Sequence, residues 1–240
     1  MPTTDRGAAV RAWHLPRLVA QAAWVVTHAQ RLPEADGPRS GVMGDGEPLR
    51  LLIVGDSSAA GVGVATQDQA LAGGIVTALA TTHQVSWTLI ARSGGTARST
   101  LRLLDRVPRD PVDAAVICLG VNDAKNGVRP TAFRQRMLTM IRRLRTEFGA
   151  RRIVISGLPP LERFPILPPP LGTVVGARTA RFDAILRALA APYPGVVHVP
   201  LDPNMDLGGL ASDGFHPGPA IYAAWAPMLA DPLRVTITDH

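Results

Sequence analysis

Short, unbroken apolar runs alternate with amphipathic stretches from residue 49 to the end of the chain. Runs at 49–54, 84–91, 114–119, 152–156 and 196–199 have the length and composition of buried strands. Between them, 69–82, 96–105, 131–148, 177–190 and 219–229 carry apolar residues at three- and four-residue steps. The clearest is 131–148, where Phe133, Met137, Met140, Ile141, Leu144 and Phe148 share one face. Gly73-Gly74 weakens the pattern in 69–82. Pro219 suits the first turn of the closing helix. Strands interleaved with helices predict a five-stranded parallel sheet covered on both faces. Right-handed crossovers then put every strand's carboxyl end on one edge.

The first 48 residues differ in texture and are expected to form an N-terminal extension, with the main domain spanning 49–240. Residues 1–30 predict one helix. Residues 32–48 are rich in Gly, Pro and acids and are expected to form a loop or linker. The apolar segment 18–26 is too short to span a bilayer. It lacks a clean cleavage site, and Arg6, Arg11 and Arg17 sit far from the start, so a cytoplasmic location is expected. With Arg11, Trp13, Arg17, Leu18 and Trp24, this helix suits either packing on the domain, which is favoured, or weak membrane-surface contact.

Hydrophobic content of 46% in 240 residues supports a sizeable core. The formal charge of +6 comes from scattered arginines, with Lys125 the only lysine, rather than from a compact stripe with aromatics between. That pattern predicts solvated helix faces and no nucleic-acid partner. Cys118, the sole cysteine, lies in an apolar run, so neither an intramolecular disulfide nor a cysteine metal site is available. Phosphate-loop, dinucleotide, Gly-x-Ser-x-Gly and His-Glu-x-x-His patterns are absent, and no metal or other cofactor is expected.

Candidate chemistry sits where the strands end. After the first strand come Gly55-Asp56-Ser57-Ser58; after the second, Arg92-Ser93-Gly94-Gly95; after the third, Gly120-Val121-Asn122-Asp123. Asp213-Gly214-Phe215-His216 precedes the closing helix. An open α/β sheet gathers such segments in a crevice at its carboxyl edge. Acyl transfer needs this set. Ser57 is the candidate nucleophile, His216 its base and Asp213 the group that orients the imidazole. The backbone amides of Ser57 and Gly94 and the side-chain amide of Asn122 are candidate oxyanion donors. The 157–176 segment holds six prolines, and its Leu161, Phe164, Ile166, Leu167 and Leu171 are candidates for an acyl pocket or for a rigid connection.

These four blocks, in this order between about residues 49 and 229, resemble the SGNH hydrolase superfamily, also called GDSL esterases and lipases. The resemblance implies a flavodoxin-like α/β/α sandwich, metal-free hydrolysis and the roles just given. Ser58 stands where the eponymous motif often has Leu, and Gly95 after Gly94 offers two adjacent amides. The expected substrate is a small carboxylic ester of short- to medium-chain acyl or aryl type. Carbohydrate O-deacetylation, thioester hydrolysis and a non-catalytic binding module are the rivals.

Overall fold

The computed structural model describes residues 15–234. Arg6, Arg11, Trp13, His14 and His240 lie outside the described residues. In chain order the elements are α1 (Leu15–His28), β1 (Ser40–Met43), β2 (Glu47–Gly55), α2 (Leu71–Ala80), β3 (His83–Ala91), α3 (Ala97–Leu104) and β4 (Ala114–Cys118). They continue with α4 (Val121–Lys125), α5 (Pro130–Thr146), β5 (Arg152–Ser156), α6 (Leu171–Ala190), β6 (Val196–Val199) and α7 (Pro219–Ala230).

The sheet runs β1-β3-β2-β4-β5-β6. The five strands from β2 onward are parallel, as expected, and in the flavodoxin-like order. A sixth, β1, pairs antiparallel with β3 at the edge. It arises inside the stretch expected to be loop. All four of its residues are exposed, so no burial alternation marks it, and backbone pairing alone defines it. Helix α6 begins at Leu171 rather than 177, so the Pro-rich connection is shorter than it reads.

Strand β2 shows why both faces are covered. Leu49, Leu51 and Ile53 belong to a core shared with α2 and α7. Leu52 and Val54 belong to a second core with α3, α5 and α6. A strand whose alternate residues are all apolar must bury both sides.

Helix α1 packs back on the domain. Val25 joins a small cluster with Leu161, Phe164 and Leu167. The Gln21 side chain donates to Pro169 O at 2.9 Å and accepts from the Leu171 amide at 3.3 Å. Just beyond the helix, Ser212 Oγ and Gln30 Oε1 are 2.9 Å apart. Val19 and Trp24 remain exposed. Among the described residues, no helix is long and apolar enough to cross a membrane.

Candidate active site

Register brings the first three blocks together. Gly55 pairs with Ala91 on β3 and with Cys118 on β4, so the segments after all three strands leave the sheet at one level. This is the point where the strand order reverses, the usual crevice of such sheets. Only glycine fits at position 55: an added Cβ would stand 2.3 Å from the Ala59 methyl and 3.0 Å from Cys118 O.

The fourth block arrives from the other end of the chain. The Asp213 carboxylate folds its own loop, with Oδ1 accepting the Phe215 amide at 3.0 Å and the His216 amide at 2.9 Å. Gly214, with φ +65°, supplies the left-handed corner. The Ala211 amide donates to His216 O at 2.8 Å, closing the turn. The other oxygen, Oδ2, is 2.5 Å from His216 Nδ1, and His216 Nε2 is 3.0 Å from Ser57 Oγ. Burial pushes the Asp213 carboxyl up, but the imidazole and the two amides outweigh it and hold the pKa below the ordinary carboxylate value. Ser57 is 8% exposed: covered, yet open at one side.

Helix α7 anchors this loop. Its buried Tyr222 hydroxyl donates to Val62 O at 2.8 Å, in the segment after Ser57. Its Trp225 indole donates to Ser156 Oγ at 3.2 Å, at the end of β5.

The candidate donors differ in their present engagements. The Gly95 amide is spent on Arg92 O at 2.9 Å. The Ser57 and Gly94 amides have no intramolecular acceptor among the described residues. Of the two adjacent amides, that of Gly94 is therefore the one free to donate. Asn122, on the short helix α4, is buried. Its Nδ2 donates to Gly95 O at 3.0 Å and lies 3.4 Å from Asp56 Oδ2. The second contact is long enough to be exchanged for a substrate oxygen.

Asp56, between the glycine and the serine, is buried. Desolvation raises its pKa to about 7 despite the Ser58 amide at 3.1 Å and the positive charge of Lys125.

An apolar cavity of about 400 Å³ opens beside Ser57 and His216, within the size range of small-molecule sites. Leu161 and Phe164 line it as expected. Ile166 and Leu167 do not: they pack behind the wall, against Leu161, Phe164 and Val175. Two walls escaped the sequence reading. One is α7, through Ala220, Ile221, Ala224, Trp225 and Met228; the other is the 201–210 loop. The signal in α7 was two alanines four residues apart beside large apolar neighbours, a face with room in it.

Residues 53–224 match the GDSL-like lipase/acylhydrolase family. A GDSL-like esterase of Mycobacterium tuberculosis is 32% identical over 203 residues, 80% of this chain; the match spans 63% of that protein's length. Among solved structures, TesA superposes with a TM-score of 0.63 at 25% identity, over 77% of this chain and 98% of that one. Axe2, an acetylxylan esterase from Geobacillus stearothermophilus, shares the fold with a TM-score of 0.58 at 14% identity, over 80% and 96% of the two chains.

Proposed function

The chain belongs to the GDSL-like lipase/acylhydrolase family, and from that premise we propose that it hydrolyses carboxylic esters through an acyl-enzyme on Ser57. The observation that carries this is the continuous chain from Asp213 Oδ2 through His216 to Ser57 Oγ.

In this reading Ser57 Oγ attacks the ester carbonyl while His216 Nε2 takes the hydroxyl proton. The imidazolium is stabilised by Asp213, whose depressed pKa keeps it ionised. The carbonyl oxygen becomes an oxyanion held by the Ser57 and Gly94 amides and Asn122 Nδ2. Collapse breaks the bond to the alcohol oxygen, which leaves with the proton from His216. Water then loses a proton to the same nitrogen and attacks the acyl carbon. The acid departs and Ser57 regains its proton. The acyl chain occupies the apolar cavity, which has more room than an acetyl group needs; this favours short- to medium-chain acyl esters over sugar acetates.

The test is turnover of a chromogenic ester together with labelling by a serine-directed phosphonate, for wild type and Ser57→Ala. Loss of both in the variant is expected. Near-normal turnover by Ser57→Ala would overturn the reading, and failure of the wild type to label would favour a binding module. Comparing kcat/KM on phenyl esters, acetylated xylan and acyl-CoA separates the substrate classes.

A further inference from the structure

The ester has two ends, and the charged side chains around the site are not distributed evenly between them. The acyl chain has the apolar cavity. The alcohol oxygen must meet His216 Nε2 to receive its proton, so the alcohol lies on the histidine side.

Lys125 stands one ring away from that histidine. It ends α4, three residues after Asn122. Its ammonium is 5.2 Å from the centre of the Phe215 ring, and that ring packs edge-on to the His216 imidazole with centres 5.2 Å apart. Phe215 lines the cavity but Lys125 does not. Lys125 makes no ion pair within 4 Å among the described residues; it is partly covered, and the charge nearest to it is that of the buried Asp56 carboxyl. The cavity side carries two carboxylates, with the Arg163 guanidinium tied to Pro203 O and Met205 O on the same loop. Asp202 and Asp206 line it and are exposed. Each commits one oxygen to a nearby amide, Asn204 at 2.7 Å and Gly208 at 2.8 Å, which holds the carboxylates in place.

We propose that Lys125 selects esters whose alcohol portion carries an anionic group, a carboxylate or a phosphate, while Asp202 and Asp206 discriminate against an anion at the far end of the acyl chain. This rests on the esterase reading above. A cation over an aromatic ring in a partly enclosed cleft keeps more of its attraction than one in open water. One such contact is worth about tenfold, the equivalent of ~1.4 kcal/mol. The overall charge of +6 would favour anions at both ends alike, so opposite responses at the two ends separate the local arrangement from net charge.

The experiment uses the full chain, as wild type, Lys125→Gln and Lys125→Arg. The alcohol end is probed with para-acetoxybenzoate and para-acetoxyphenyl phosphate against neutral para-acetoxybenzamide; the acyl end with monophenyl succinate against phenyl butyrate. Each kcat/KM is normalised to that ester's hydroxide-catalysed rate. The wild type is expected to favour at least one alcohol-side anion by about 5- to 10-fold, the larger ratio naming the group, and to disfavour the succinate. Lys125→Gln should bring the alcohol-side ratio to about unity and Lys125→Arg should keep most of it. Added salt should shrink it. A ratio that survives Lys125→Gln, equal preference for both anionic ends, or no charge discrimination overturns this inference while leaving the esterase reading intact. No turnover of any of the esters overturns both.

Discussion

Asp213 binds His216 twice, once through the ring nitrogen Nδ1 at 2.5 Å and once through the backbone amide at 2.9 Å. One carboxylate therefore fixes both the ring and the peptide that carries it. Asp213→Asn keeps the backbone bonds and disturbs the ring. It is expected to lower kcat by 10³- to 10⁴-fold, on the order seen when a triad aspartate is replaced, and to lower the urea midpoint at neutral pH, where the ionised carboxylate stabilises the fold. A kcat within about threefold of wild type would remove Asp213 from the orienting role. The depressed pKa has its own signature. Its contribution to stability is present above the ordinary carboxylate value and is lost as pH falls from there through the lower folded-state value.

Asn122→Ala removes the only side chain among the three candidate oxyanion donors. A loss of 10²- to 10³-fold in kcat is expected, with KM little changed. A loss below about threefold would mean that the amides of Ser57 and Gly94 suffice.

Asp56 predicts an unusual pH dependence. With its pKa raised from 3.8 to about 7 by burial, it stays protonated in the folded chain at pH values where the unfolded chain has already ionised. Stability is therefore lost as pH rises between those two values and is level above them. Asp56→Asn has no proton to lose. Urea melts across that range should show the variant gaining on wild type by about 1–4 kcal/mol as pH rises. Parallel curves would contradict the raised pKa.

Ala224 on α7 faces the cavity. Ala224→Phe fills part of it, so the preferred acyl chain in a para-nitrophenyl ester series from acetate to laurate should shorten. An unchanged profile would place the acyl chain elsewhere.

Gly55→Ala sets a Cβ 2.3 Å from Ala59 Cβ. Overpacking on this scale costs about 1–3 kcal/mol, read as a lower urea midpoint. Ala59→Gly in the same chain should recover part of it.

Much of this was legible in the residues, for a physical reason. Buried parallel strands are continuous apolar runs, and the blocks of chemistry begin where those runs stop, as at Gly55 and Gly120. What stayed hidden follows different rules. Strand β1 buries none of its four residues, so hydrophobicity carries no trace of it. The cavity is a space between elements: Ile166 and Leu167 are as apolar as Leu161 and Phe164, and only packing decides which pair faces inward. The free amide of Gly94 and the occupied one of Gly95 differ by a turn hydrogen bond that composition cannot register.

Ser57 and His216 are neighbours in space yet 159 positions apart in sequence. On a ribosome, the hydroxyl would emerge long before its base. On the proposed mechanism, a nascent chain holding the whole parallel sheet would still be chemically inert until the last loop docked. Ester turnover would therefore, on that mechanism, report that this last loop has docked, and a product cut short before residue 216 would be silent however well its sheet had formed.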